Sequence, residues 1–570
     1  MEEIDSPYAA LFAPFRLRHL TLKNRIISTS HAPSYAEDGL PGERYQRYHE
    51  EKAKGGLAMT MFGGASSVSP DSPPSFGQIQ VGDDAIVPYF KAFAKRIHAH
   101  DVALMCQLSH AGRRTHAASG NWLPSIAPSP IREPAHGSIP RQIEAADIKR
   151  VIADYAAAAR RCRDGGLDGC ELLASGHLIG QFWSPLSNFR NDAYGGSFDN
   201  RIRFGMEVLE AIREQVGDRF IVSLRFTADE RVEGGIGETE GLEIAKAYAA
   251  SGMVDCLNVS GGANWTKAGV AETVPSMAFA SGRFIELAGR VRRATGLPVL
   301  HAAGVADLAT AHFAVSEGHV DLIGMTRAHI ADPHLVRKHA QGRDEEIRPC
   351  VGAGFCIDRI YRGGDALCLH NAVTGRETQL SHAVERADGP ARNVVIVGAG
   401  PAGLEAARVC AERRHQVTVF EAQTDPGGQV QIASRVAWRR DLIGIVRFLH
   451  ERCVTLGVTF HFNRYVEAAE LIELDPDIVI LATGGIPNLS EIDGDHPSAV
   501  SSWDALSGAV SFDGHVLVYD EDGGQAGPSV AEFIAAQGAT VEIVTPNRCI
   551  AEEVGVTNHA IHLRNLADLG

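Results

Sequence analysis

The sequence predicts an α/β protein with an N-terminal (β/α)8 TIM barrel, a cysteine-rich linker and C-terminal Rossmann-like dinucleotide-binding domains. Three observations carry this. Short apolar runs alternate with amphipathic helical runs up to about residue 345. Cys350, Cys356 and Cys368 then crowd one stretch, P-C-V-G-A-G-F-C-I-D-R-I-Y…A-L-C. A glycine fingerprint, V-V-I-V-G-A-G-P-A-G-L-E, follows. A chain of 570 residues has room for two or three domains. The boundaries read from these signals are 1–345 for the barrel, 346–390 for the cysteine linker, 391–510 for a nucleotide-binding domain and 511–570 for an incomplete second Rossmann-like unit.

The barrel strands are taken in order. The first four are I-I-S-T-S from Ile26, L-A-M-T-M-F-G-G from Leu57, A-L-M-C-Q-L from Ala103 and G-C-E-L-L-A-S from Gly169. The rest are F-I-V-S-L-R-F from Phe220, C-L-N-V-S-G-G from Cys256, V-L-H-A-A-G from Val299 and D-L-I-G-M-T-R from Asp321. Helical runs such as those from Ala146 and Arg203 separate them. An open doubly wound sheet is the other fold of this pattern, but eight repeats of this length favour closure. In a barrel the active face is formed where the strands end. That places Ser30, His31, Gly64, Gln107, His110, His177, Arg225, Trp265, Gly304 and Arg327 around one mouth. Gly304 and Arg327 end strands seven and eight, the usual phosphate position, where a bare glycine admits close approach and an arginine forks onto phosphate. The long loop from Gly112 to Glu144 follows strand three and reads as a lid. Its Arg113, Arg114 and Arg132 are candidates for a substrate carboxylate.

Composition narrows the function. A net charge of −16 argues against nucleic acid or an anionic membrane as partner. No apolar run reaches the roughly 18 residues of a span, and the acidic N-terminus has no signal-peptide pattern. Scattered cysteines in such a chain read as reduced and cytoplasmic.

Several segments closely resemble the Old Yellow Enzyme-like flavin oxidoreductases: L-F-A-P-F-R-L-R-H-L-T-L-K-N-R-I, C-Q-L-S-H-A-G-R-R, S-N-F-R-N-D-A-Y-G-G-S-F-D-N-R-I-R-F and G-M-T-R-A-H-I-A-D-P. The resemblance implies non-covalent FMN in the barrel, near Ser30 and His31, with Gln107 and Arg225 facing the ring. Arg225 would stabilise negative charge arising there. Barrel, cysteine linker and dinucleotide domain together resemble the trimethylamine dehydrogenase family. The segments S-T-S-H-A-P-S-Y-A-E-D-G-L-P-G-E-R-Y and P-C-V-G-A-G-F-C-I-D-R-I-Y look most like its N-methylproline and dimethylglycine demethylase group. Where trimethylamine dehydrogenase bonds its flavin through cysteine, this chain has Ala32. Of its three aromatic bowl positions, Trp265 matches, while Gly64 and Ile360 do not and Tyr361 is a neighbouring substitute. Old Yellow Enzymes hold an enone oxygen with a His/Asn pair; here those positions read as Leu172 and Ser175, and the acid tyrosine as His177. An N-methyl dehydrogenase needs a neutral amine rather than a strong acid, and His177 is placed to hold it so.

Relatives with a [4Fe-4S] cluster present four thiolates. This chain has Ala353 where the second would stand. A [4Fe-4S] cluster with a non-cysteine ligand such as His370, a [3Fe-4S] cluster, and structural thiols all remain open. In the fingerprint, Gly398, Gly400 and Gly403 follow an apolar strand and open a helix, and Glu421 ends the next strand. This is a dinucleotide site for an ADP-containing ligand. G-G-Q-V, with Gly428 and Gln429, resembles FAD-dependent domains, so FAD is favoured over ADP. The unit from His515 lacks the fingerprint, and the resemblance implies a later return segment that finishes an FAD site, so either the sequence is truncated at 570 or that site is incomplete.

The expectation is therefore an FMN-dependent demethylase of a small N-methylated amino acid. It would release formaldehyde, pass electrons to an electron-transfer flavoprotein or similar acceptor, and form a homo-oligomer. The alternatives are an NAD(P)H-dependent enoate or 2,4-dienoyl-CoA reductase, and an electron-transfer flavoprotein subunit without substrate chemistry of its own.

Overall fold

The computed structural model describes residues 6–74, 76–115, 123–488 and 498–570. Eight parallel strands close into a barrel in sequence order. They are β1 (Ile26–Ser28), β2 (Met59–Ser67), β3 (Ala103–Ser109), β4 (Gly169–Leu173), β5 (Ile221–Thr227), β6 (Cys256–Ser260), β7 (Val299–His301) and β8 (Leu322–Gly324). The eight expected strands are all present. Their residues are almost all buried, because helices cover the outside and side chains fill the inside.

Helix Ala145–Asp164 begins at a capping box between Glu144 and Asp147. Helix Phe198–Val216 begins where the Ser197 side chain accepts from the Asn200 N–H. These polar caps start both helices ahead of the apolar periodicity that identified them. An antiparallel hairpin, Phe15–Leu17 with Leu20–Leu22, has no counterpart in the sequence reading. Its Leu17 and Leu22 share one apolar cluster with Ile27, Met59, Met105, Ile221, Leu300 and Leu322. The hairpin thus plugs the N-terminal end of the barrel, leaving the C-terminal end for a ligand.

The chain divides into two compact units. One runs to Cys350 and resumes over Gly354–Gln379; the other comprises Val351–Ala353 and Leu380–Gly570. The second unit holds a parallel sheet of β9 (Asn393–Val397), β10 (Gln416–Phe420), β11 (Thr459–His461) and β12 (Ile478–Leu481), in the order β11-β10-β9-β12. A separate parallel pair, β13 (His515–Tyr519) and β14 (Thr540–Val544), packs with helix Ala526–Ala535. Among the described residues no helix is long and apolar enough to cross a membrane. The first five residues, on which the leader reading rests, lie outside the described set.

Candidate active site

A cavity of about 250 Å3 opens at the C-terminal ends of the barrel strands. Of the expected residues, Ser30, His31, Gly64, Gln107, His177, Arg225, Gly304, Arg327 and Tyr361 line it. Trp265, Arg113 and His110 do not.

The floor is polar. Arg225 is half-buried, its buried Nε has no hydrogen-bond partner among the described residues, and Arg327 leaves Nη1 in the same condition. Two guanidiniums with orphaned N–H groups facing one cavity fit an anionic ligand. Such a floor fits FMN, for which Arg327 and Gly304 would hold the phosphate and Arg225 would face the ring. Gln107 donates from Nε2 to Glu171 (2.7 Å) and accepts at Oε1 from the Ala65 N–H (2.8 Å). Its second Nε2 hydrogen remains for a ligand.

His31 and Ser30 are more constrained than expected. The Ser30 hydroxyl donates to the Phe62 carbonyl and accepts from the Gly64 N–H (2.7 Å), so it shapes β2. His31 Nε2 lies 2.7 Å from the Tyr48 hydroxyl, and the fully buried Lys52 Nζ lies 3.4 Å away. Burial and the Lys52 charge keep His31 neutral, well below the usual histidine range.

Of five positions compared with the relatives' substrate groups, Ser175 lines the cavity and Leu172, Trp265, Arg113 and Arg132 do not. Leu172 packs in the core while Leu173 reaches the cavity; strand alternation puts neighbours on opposite faces. The Ser175 hydroxyl pairs with Thr227 (2.6 Å). Neither lining position offers a pair of donors to a carbonyl oxygen. Trp265 donates to buried Glu230 (3.3 Å), and the Arg113 guanidinium sits 5.4 Å from its ring centroid. The cation over that indole in the structure is Arg113. Arg113 in turn faces Glu133 and Glu230, which offset its charge. Arg132 is exposed, outside the cavity lining.

Of the three candidate arginines, only Arg114 lines the cavity. It donates to the Tyr361 hydroxyl (3.0 Å) and to the Asn264 carbonyl, and has no carboxylate partner among the described residues. His177 Nδ1 lies 2.7 Å from the Ser109 hydroxyl. Burial first, then Arg114, His136 and Arg225, drive the imidazole pKa well down, so it stays neutral at physiological pH. His110 is a structural residue, bonded to Asp71 (3.0 Å) and accepting from the Gly112 N–H. Residues 116–122 of the expected lid lie outside the described set. Glu171, Asn258 and Asn264 were missed by the sequence reading.

Gly64 is fixed by backbone geometry. It has φ +54°, and a Cβ there would stand 2.0 Å from the Ala32 nitrogen. Ala32 also lines the cavity and carries no thiol. Acid precipitation of the holoprotein is therefore expected to release all the FMN to the supernatant; yellow colour retained in the pellet would contradict this.

The three thiols are neighbours: Cys350 and Cys368 both act on Cys356. Burial pushes Cys356 up to about 12 and Cys368 to about 11. Cys356 lines the cavity wall. Among the described residues no group of three or more His, Cys, Asp or Glu could hold a metal ion. Ala353 offers only its carbonyl, which accepts from Asn558 (2.9 Å). The described residues do not complete a set of four iron ligands.

In the second unit, Gly398 has φ +103° and a Cβ there would meet the Ala482 carbonyl at 2.4 Å; at Gly403 it would meet the Gly398 carbonyl at 1.9 Å. At Gly400 a Cβ would meet nothing within 4 Å. Two glycines are thus demanded by packing and the third borders open space at the N-terminus of helix Pro401–Glu412, where a pyrophosphate fits. The Glu421 carboxylate accepts from the Ala399 N–H (2.7 Å) and the Gln423 N–H (2.9 Å), so it also braces the glycine loop. Gly428 and Gln429 start helix Gln429–Ala433 beside this space, with Gly428 approaching Gly400.

Residues 10–346 match the NADH:flavin oxidoreductase / NADH oxidase family, and residues 396–458 match an NAD(P)-binding Rossmann-like domain. Three relatives align over nearly the whole of this chain. A probable N-methylproline demethylase of Rhizobium meliloti is 49% identical over 99% of this chain and 83% of its own. A multifunctional alkene reductase/demethylase of Caballeronia cordobensis is 49% identical over 98% and 81%. An N,N-dimethylglycine/sarcosine dehydrogenase of Chromohalobacter salexigens is 44% identical over 98% and 82%.

Proposed function

Because this chain belongs to the NADH:flavin oxidoreductase / NADH oxidase family, we propose that it oxidatively demethylates a small N-methylated amino acid of the N-methylproline or dimethylglycine type. The observation that carries this reading is Arg114, a buried guanidinium in the cavity whose described partners are a hydroxyl and a carbonyl. A buried cation without a counter-charge favours an anionic ligand group. Arg114 and the Tyr361 hydroxyl hold the substrate carboxylate. Neutral His177, its Nδ1 against Ser109, offers Nε2 as the acceptor through which the ammonium proton passes on to water, and as a weak base it does not retain that proton, so a neutral amine is left. Bound FMN supplies the hydride acceptor. The N-methyl carbon then becomes an iminium, which water splits to formaldehyde and the demethylated amine. The apolar wall of Leu173, Ile357 and Ile360 limits water at the reacting carbon. We propose FAD or an ADP-type ligand at Gly398–Gly403, and an external acceptor such as an electron-transfer flavoprotein.

The relatives' names support both amine oxidation and, in one case, alkene reduction. Leu173 and the occupied Ser175 hydroxyl favour amine oxidation here, since an enone oxygen would lose donors worth about 2.7–4 kcal/mol each. His177→Gln tests the base. The variant should keep its FMN and reduce it at least about 100-fold more slowly at pH 7, where the free amine is ammonium. Because the His177 pKa is lowered, the imidazole is neutral and competent throughout this range. The deficit should therefore shrink as pH rises and the substrate deprotonates unaided. Wild-type rates at every pH would make His177 structural.

A further inference from the structure

We propose that Glu171 is a positioning residue for the flavin: it orients the polar groups beneath the ring and offsets the Arg225 charge, so its carboxylate sets the reduction midpoint of the bound cofactor. The inference depends on FMN occupying this cavity and is independent of which amine is oxidised.

Glu171 lies in the middle of β4, fully buried, facing Gln107 of β3 and Ser223 of β5 across the ladder. It accepts from Gln107 Nε2 (2.7 Å), Asn258 Nδ2 (2.8 Å) and Ser223 Oγ (3.4 Å). Gln107 must donate, because its Oε1 is committed to the Ala65 N–H, and Arg225, Asn258 and Ser223 favour the charged form against the upward push of burial on the Glu171 pKa. Gln107, Asn258 and Arg225 all line the cavity; the first two bond to this one side chain, and Arg225 feels its charge. The Gln107 amide is held at both ends, by Glu171 and by the Ala65 N–H, so its free N–H has one direction.

Glu171 is the charge acting on Arg225, whose Nε has no hydrogen-bond partner. In the dry barrel interior a full charge beside the ring acts strongly. Taking a hydride leaves the ring system more negative. Arg225 alone would favour that state and hold the electrons; Glu171 opposes it and eases their onward transfer. A carboxylate that served only barrel packing would leave the midpoint unchanged.

Glu171→Gln in the holoenzyme tests this. Gln is isosteric, Ser223 can accept from its new N–H, and the Asn258 amide can turn to suit. The expected result is retained FMN, a midpoint raised by a tenfold change in the reduction equilibrium (about 30 mV for two electrons), and sulfite bound to the flavin about tenfold more tightly. FMN retained with midpoint and sulfite affinity unchanged would overturn the proposal. Should Glu171→Gln fail to hold FMN, Ser223→Ala decides. It keeps the floor but removes a donor that disperses the carboxylate charge, so the midpoint should fall. No change, or a rise, would overturn the proposal equally.

Discussion

Arg114→Gln will lower kcat/KM for N-methylproline or dimethylglycine by two to three orders of magnitude. Truncating one partner of a buried, hydrogen-bonded charge pair costs about 2–5 kcal/mol, and this loss appears directly in kcat/KM. Gln can still reach Tyr361, so the cavity wall stays closed and FMN stays bound. An N-methyl amine of similar size without a carboxylate, such as N-methylpyrrolidine, should lose far less, because it never used the guanidinium. Steady-state kinetics on both substrates separate the cases. Equal losses on the two amines would show that Arg114 shapes the cavity and does not bind carboxylate. Arg113→Gln is the natural control. It removes the cation over Trp265 and leaves buried Glu133 and Glu230 without their cation, so it should lower stability without discriminating between the amines.

Gly64→Tyr will abolish FMN binding. Grafting an aromatic here looks from sequence like rebuilding a missing wall of a cation bowl. The structure forbids it. Gly64 follows Gly63 in a bulge of β2, both with positive φ, and a Cβ at Gly64 would collide with the backbone of His31 and Ala32. Relief requires β1 and β2 to separate at the cavity rim, which also breaks the bond from the Gly64 N–H to Ser30. Strain of this kind is among the changes that exceed about 4 kcal/mol. Even Gly64→Ala should melt early and purify with little flavin. A well-folded, fully loaded Gly64→Tyr would mean the bulge adapts, and the reading of Gly64 as a backbone requirement would fall.

The barrel was legible because its strands are buried on both faces and so appear as apolar runs, with glycines and polar residues marking their ends. The site was legible where a polar residue stands near the C-terminal end of a strand, as with Gln107 and Arg225, or just beyond it, as with Gly304 and Arg327. It was illegible where chemistry sits inside a run. Glu171 in G-C-E-L-L and Asn258 in C-L-N-V-S passed as strand residues, although a charge among five buried positions was the available signal. Adjacent residues could not be told apart either. Gly112, with φ +63°, turns Arg114 inward and leaves Arg113 on Trp265. Leu172 and Leu173 differ only by which way the pleat faces. Buried partners explain the rest: nothing in the order of residues announces that Glu230 holds the Trp265 indole, or that Lys52 approaches His31.

The central claim is oxidation of an N-methyl amino acid at the barrel flavin. Anaerobic stopped-flow mixing of the holoenzyme tests it most directly, with flavin absorbance followed and formaldehyde trapped. N-methylproline or dimethylglycine should bleach the FMN and yield one formaldehyde for each FMN reduced. NAD(P)H should bleach it slowly, with no acceleration of reoxidation by an enone. Rapid bleaching by NAD(P)H, enone-dependent reoxidation and no response to either amine would contradict the account and make the enzyme a reductase.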